Sequence, residues 1–175
     1  MDPRTRKTKN LLLNGLFTLL KDKSIQDITV TALCKQAEVN RRTFYLHYDN
    51  IIEVFDDFES DLSLRVSNTL NAPSTTEANL VQTFDQIFDE NLAGFKSLCM
   101  NHRQQLLLQH LDDMLFNVLL SSHSNHPNSQ DIITMHYVSS GIVNVYIYWV
   151  NHQESFSRSE LSKTFSKLVH ENFSH

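Results

Sequence analysis

The chain is poor in the residues that interrupt regular structure. Its 175 residues include only three Gly and three Pro. Strand-rich folds need tight turns at short intervals, and those turns draw heavily on these two residues. Their scarcity argues for a mostly helical chain. The length suits one good core or two small domains. Cysteine is scarcer still. Cys34 and Cys99 both fall inside apolar helical patterns, which suits two buried, reduced thiols better than a disulfide, and suits the cytosol. No apolar run approaches the roughly eighteen residues of a membrane span. No charged-then-apolar leader opens the chain, so neither a membrane-spanning nor a secreted protein is expected. A glycine-rich phosphate loop and a recognisable nucleophile signature are also missing, so no enzyme activity is expected.

What the chain does have is a lopsided charge. The net charge is -5. Residues 1–50 hold nine Lys/Arg against five acids, a surplus of +4, and the remainder carries six basic and fifteen acidic residues, or -9. A basic end on an acidic body suits a polyanionic partner confined to that end, although a solvated surface of uneven charge has the same composition.

Helical spacing of apolar residues predicts four helices in the first part: Arg4–Lys21, Val30–Ala37, Arg41–His47 and Asn50–Leu70. Ala72-Pro73-Ser74-Thr75 then breaks the chain. Five more are expected at Thr76–Glu90, Leu92–Met100, Arg103–Leu120, Ser129–His152 and Ser157–Phe173, with 121–130 a polar loop. Leu80, Phe84, Ile87 and Phe88 form the inner face of the first of these five. The first helix of the chain carries Arg6, Lys7 and Lys9 in its opening turns. The helix dipole disfavours cations there, and a nearby phosphate would relieve the conflict.

Ile28 to Tyr48 reads as two short helices around a tight turn. Thr29 is a good cap for the first and Asn40 for the second. Leu33, Cys34 and Ala37 form a short inner face, and Phe44 points inward from the second helix. Arg41, Arg42, Thr43, Tyr45, Leu46 and His47 are left for its other faces. A helix-turn-helix has this plan: one helix braces across the DNA backbone while the next presents its N-terminal residues to base edges. Arg suits bidentate contact with guanine and with phosphate. Asn, Thr, Tyr and His can donate to phosphate oxygens. A small helical hairpin with a polar surface is the alternative on composition and periodicity alone.

The run Ala37-Glu38-Val39-Asn40-Arg41-Arg42-Thr43-Phe44-Tyr45-Leu46-His47-Tyr48 resembles the N-terminal domain of TetR-family transcriptional regulators. Thr43-Phe44-Tyr45-x-His47-Tyr48 is its most specific part. Asn40-Arg41-x-Thr43-Phe44-Tyr45 is similar to a branch found largely in Gram-positive bacteria. His136 to Ile142, Trp149 and Ser157-x-x-Glu160-Leu161 resemble the last two helices of that branch. The resemblance implies an all-α fold: an N-terminal three-helix helix-turn-helix domain plus a C-terminal helical dimerisation and effector-binding domain. The expected limits are 1–50 for the DNA-binding domain with its motif at 29–48, 51–72 for a connecting helix, and 73–175 for the second domain.

Position by position, the resemblance gives Thr29 a capping role with phosphate contact. It makes Thr31 and Arg41 candidates for base or phosphate contact. Arg42 and Thr43 open the recognition helix. Tyr45 and His47 match positions that hold phosphates, and Leu46 can meet a thymine methyl. Val39 and Phe44 belong to the core. Two positions depart from the family. Glu38 stands where a turn glycine is usual, so a differently shaped turn is expected. Ile51 stands where a phosphate-binding Lys is common, which leaves that task to Asn50 and the backbone N–H groups at the helix start.

The remaining constellations are weaker. Cys99 with His102, and His123 with His126, have metal-ligand spacing without convincing further ligands, so no metal and no cofactor are expected. Phe84, Phe88, Phe95, Phe116, Tyr137, Tyr146, Tyr148 and Trp149 either line an effector pocket or serve ordinary packing. Ser129–His152 is apolar on more than one face, and Ser139, Ser140 and Gly141 would let another backbone approach. That helix and the last one are expected to form a homodimer interface as a four-helix bundle, with an intramolecular core helix as the alternative. The expected function is a homodimeric repressor on a palindromic double-stranded DNA site, released by a small-molecule effector, in the cytoplasm. An activator working with a protein co-regulator, or a helical interaction module without DNA binding, are the other readings.

Overall fold

The structure is a computed structural model that describes residues 2–72, 77–100, 102–124 and 126–173. Among them all regular structure is helical. Helices α1 (Pro3–Leu19), α2 (Val30–Gln36), α3 (Arg41–Tyr45) and α4 (Ile52–Leu70) come first. They are followed by α5 (Glu77–Glu90), α6 (Leu92–Cys99), α7 (Gln105–His123), α8 (Ser129–Asn151) and α9 (Arg158–Phe173). Short 3-10 turns cover Ile25–Asp27 and His102–Gln104.

Each helix is where the apolar period put it, and the ends follow local chemistry. Asp2 caps α1 by accepting from the Arg4 N–H at 3.3 Å, and Pro3 sits in the first turn, where its missing N–H costs nothing. One boundary differs by more than fraying. The expected loop at 121–130 begins late, because α7 continues through Ser121 and Ser122 to His123. Asn128 and Asp131 then start α8 as a reciprocal capping box: Asn128 Oδ1 accepts from the Asp131 N–H at 3.1 Å, and Asp131 Oδ2 accepts from the Asn128 N–H at 2.9 Å. His123 Nε2 faces Asp131 Oδ1 at 3.5 Å across the shortened loop. The expected break falls mainly on 73–76, outside the described residues, and so do the side chains of Leu80 and His102.

The stripe Val54, Phe55, Phe58, Leu62 and Val66 of α4 is buried along its length. It packs on α1 at one end and on α5 and α7 at the other, so α4 carries one core from the first three helices into the rest of the chain. Two further contacts secure the join. Phe17 of α1 meets Phe58 edge-on, with centroids 5.3 Å apart, and lies flat against Gly94 of α6. A β-carbon on Gly94 would stand 2.5 Å from the Phe17 ring. Gln104 is fully buried at the start of α7, and its Nε2 donates to the carbonyls of Leu20 and Lys23, both at 2.7 Å. Arg103 Nη1 adds a bond to the Asp22 carbonyl at 3.0 Å. The α1–α2 connection is therefore held by the 3-10 turn that leads into α7.

Helix α8 divides its apolar residues between two faces. Met135, Ser139, Ile142, Trp149 and Val150 are buried within the chain. Ile133, Tyr137, Val145 and Tyr148 are exposed on the opposite side. The three small residues expected to admit another backbone do not act together. Ser139 is buried against the chain's own core, and Ser140 Oγ donates to Asp112 Oδ2 of α7 at 2.7 Å. Gly141 alone faces outward, and a β-carbon there meets no atom within 4 Å.

Candidate nucleic-acid interface and effector cavity

The helix pair is built by caps at both ends of its turn. Thr29 Oγ1 accepts from the Ala32 N–H at 3.2 Å, and Ile28 and Leu33 on either side of this cap are both buried, an arrangement that fixes the entry angle of the chain. At the other end of α2 the Val39 N–H bonds the Cys34 carbonyl at 3.0 Å and the Glu38 N–H bonds the Lys35 carbonyl at 3.4 Å. That pair of bonds satisfies two orphan carbonyls and requires a left-handed residue between them. Glu38 supplies it, with φ of 53°. The expectation of a differently shaped turn is thus corrected. The hydrogen-bond pattern keeps the turn a glycine would make, and Glu38 takes on the strain.

Asn40 Oδ1 accepts from the Arg42 N–H at 2.8 Å and starts α3. The helix ends at Tyr45 instead of His47, because the following N–H groups of Leu46 and His47 bond three residues back, to Thr43 and Phe44. Phe44 is its one buried side chain and is fully enclosed. Everything else on α3 faces outward to some degree. Thr29, Thr31, Asn40, Arg41, Arg42, Tyr45, Leu46 and Asn50 are exposed, while Thr43 and His47 are half-buried. Leu46 is 72% exposed, which leaves an apolar side chain uncovered on the same short segment as two arginines. Arg41 lies 5.9 Å from the Tyr45 ring, and among the described residues neither Arg41 nor Arg42 has a carboxylate partner.

The start of α4 is less open to an anion. Ile51 is buried in the core. Asn50 gives its Nδ2 to Glu53 Oε1 at 2.9 Å, and the Asp49 N–H donates to Glu53 Oε2 at 2.7 Å. A carboxylate of the chain itself therefore engages Asn50 and a backbone N–H that were expected to meet phosphate.

One element of the head had no counterpart in the sequence reading. Tyr48 is buried and its phenol donates to Asp57 Oδ2 at 2.9 Å, while Lys9 Nζ reaches Asp57 Oδ1 at 2.9 Å. Burial first, then the bonded Asp57 carboxylate, pushes the Tyr48 phenol up. The network ties α1, the end of the motif and α4 at one point. It also gives Lys9 an internal partner, so one of the cations expected to await phosphate is already paired.

Of the aromatic residues expected to line a pocket or pack, Phe84, Phe88, Phe95 and Tyr146 surround a cavity of about 90 Å³. Phe88 stacks between Phe95, at 5.2 Å, and Tyr146, at 4.7 Å. Leu62 and Val66 of α4, Leu111 and Met114 of α7 and Ile142 of α8 complete the wall. The others do different work. Phe116 stacks on His136, Tyr137 and Tyr148 are exposed, and Trp149 packs edge-on against Phe88 while its Nε1 donates to the Phe156 carbonyl at 3.1 Å. Cys99 also borders the cavity. Both cysteines are free thiols. Asp56, Glu59 and His110 bring ligand-type atoms within 4.8 Å of one another, and Glu59 Oε2 faces His110 Nδ1 at 3.9 Å between α4 and α7.

A capped bracing helix, a left-handed turn and an exposed short helix make the head that of a helix-turn-helix regulator, joined to a helical second part. Residues 78–171 match the TetR-type family described as "Transcriptional regulator C-terminal region". That is more than half of the chain, and the chain belongs to the TetR family of transcriptional regulators. A Bacillus subtilis (strain 168) protein described as an uncharacterized HTH-type transcriptional regulator, YxbF, is 28% identical over 163 residues. The alignment takes in 89% of this chain and 43% of that protein, so the chain spans less than half the length of the relative. A TetR-like transcriptional regulator from Rhodococcus sp. RHA1 superposes with a TM-score of 0.60 at 15% identity, over 97% of this chain and 96% of that one. The dihydroxyacetone kinase operon activator DhaS gives 0.55 at 14% identity, over 95% and 96%. At such identities the likeness shows the fold alone.

Proposed function

We propose that this regulator acts as a homodimeric repressor. It places α3 in the major groove at each half of a palindromic operator and is released by a ligand in its second part. The observation that carries the reading is the exposure of Arg41, Arg42 and Tyr45 on a helix whose one buried side chain is Phe44, with Leu46 exposed just beyond it and both guanidinium groups lacking carboxylate partners among the described residues. Arg42 and Thr43 read base edges. Thr29, Asn40, Tyr45 and His47 meet the backbone, and Thr31 and Arg41 meet either. Leu46 meets a thymine methyl. Asn50 keeps one Nδ2 N–H on Glu53 and has its second for phosphate. Residues 1–50 form the DNA-binding head, 51–72 the connecting helix and 73–175 the dimerisation and ligand-receiving part, working in the cytoplasm.

The outward stripe Ile133, Tyr137, Gly141, Val145 and Tyr148 of α8 supports pairing with a second copy, since Gly141 lets the backbones approach there. Selection of bound duplexes from a random pool tests the whole reading. A palindromic consensus is expected, with affinity falling steeply as salt rises. Arg42→Ala should weaken binding by about 1–3 kcal/mol and relax one position of each half-site. Failure to enrich any duplex would leave a helical interaction module as the function.

A further inference from the structure

We infer that the ligand of this regulator is an uncharged, apolar molecule, such as an aromatic ring or alkyl chain, larger than the space now open to it. The inference rests on reading the second part as ligand-receiving, and it names the ligand's chemistry. Among the described residues the wall contains no Asp, Glu, Lys, Arg or His, and its polar atoms are the Tyr146 phenol and the Cys99 thiol. Burial pushes the Cys99 thiol up to about 12, so it stays neutral, and burial likewise raises the Tyr146 phenol. A carboxylate or ammonium group entering here would lose its hydration and meet no charged side chain on the described wall, the nearby Arg158 lying behind the Phe88 ring. A neutral hydrocarbon loses nothing of the kind and gains by leaving water.

Size supplies the second half of the argument. The cavity holds about 90 Å³. An apolar cavity of about 150 Å³ stays dry and takes up benzene or xenon, and pockets for larger ligands run to roughly 300–1,000 Å³. Anything of benzene size or above therefore fits only after the wall gives way. Met114 is the side chain best able to do so, being unbranched and half-buried. A ligand shifts a conformational equilibrium only if it binds the two states unequally. A molecule too large for the compact state meets that condition by its volume alone.

The chain's single tryptophan reports on the site, because Trp149 lies edge-on to Phe88 with centroids 5.6 Å apart. The experiment uses the full chain with benzene and n-butylbenzene, and with benzoate and benzylamine as charged compounds of similar size. The neutral compounds should change Trp149 emission and raise the thermal midpoint by about 3–6 °C at ten times the dissociation constant. The charged pair should do neither. Met114→Ala should tighten n-butylbenzene binding at least tenfold. If benzoate or benzylamine binds and the neutral compounds do not, the ligand class is wrong while a ligand-released regulator survives. If no compound binds the parent chain or Met114→Ala, the space is a packing void and the ligand-receiving reading falls with it.

Discussion

Replacing Glu38 by glycine should stabilise the protein. Glu38 is the one non-glycine residue with positive φ among the described residues, at 53°, and the bonds from Glu38 and Val39 back to Lys35 and Cys34 hold it there. A β-carbon in the left-handed region costs about 1–2 kcal/mol. Glycine removes that cost but loses about 0.5–1 kcal/mol more chain entropy on folding. The side chain is exposed and makes no described hydrogen bond or ion pair, so no contact is lost. The net gain is about 0.5–1 kcal/mol, or about 1–4 °C in thermal midpoint for a chain of this size. Glu38→Ala is the decisive control. It removes the same charge and keeps the β-carbon, so it should gain little. Urea unfolding of the three proteins in parallel measures the differences. Equal gains from Ala and Gly would show that charge, not backbone strain, is relieved. No gain from Gly would mean the turn is not left-handed in solution.

Three other substitutions test the joints of the fold. Gly94→Ala should destabilise by about 1–3 kcal/mol in urea unfolding, because its β-carbon meets the Phe17 ring at 2.5 Å and overpacking outweighs the roughly 1 kcal/mol of helix propensity gained. Adding Phe17→Leu should recover part of the loss. Tyr48→Phe should cost about 0.5–1.5 kcal/mol, since Asp57 loses a phenol donor and keeps Lys9. Glu59→Gln should raise stability at pH 7.5, with the advantage closing as pH falls toward 4. Burial, with Asp56 and Asp113 nearby, raises the Glu59 carboxyl against the opposing pull of His110. The fold thus favours the protonated acid, and that contribution is present at low pH and lost as pH rises through the raised value. Unfolding at the two pH values checks the sign.

Most of the helices were legible because each buries a stripe at helical spacing, and a stripe is a local pattern. The α4 positions Val54, Phe55, Phe58, Leu62 and Val66 show this, since all five are buried. Caps at Thr29 and Asn40 were legible for the same reason: a cap bonds an N–H two or three residues away. What was not legible lies between elements far apart in sequence. Nothing near Asp57 announces that it joins Lys9 to Tyr48, and nothing near Gln104 announces the carbonyls of Leu20 and Lys23. Ser139 and Ser140 were misassigned because a helix apolar on several faces does not say which face its own chain will cover. The family's glycine led to a different turn being expected at Glu38. The end of α2 has orphan carbonyls whatever residue follows, and satisfying them outweighs one unfavourable φ.

The same long-range contacts suggest how the cavity and the head communicate. Leu111 and Met114 border the cavity from α7, and the first residues of that helix run into Gln104 and Arg103, which grip the α1–α2 connection. On the proposed reading, a ligand that displaced α7 at its cavity face would reach this grip, because the helix is continuous from Gln105 to His123. The Gln104 amide makes the grip stringent. It is fully buried, and Oε1 has no partner among the described residues, so sliding off the two carbonyls would leave further polar groups unsatisfied. Movement of α7 must therefore carry the α1–α2 connection with it or break two buried bonds. Coupling of this kind runs equally in both directions. On the proposed reading, the factor by which a ligand loosens DNA is the factor by which DNA loosens the ligand, so operator-bound protein should hold n-butylbenzene more weakly than free protein.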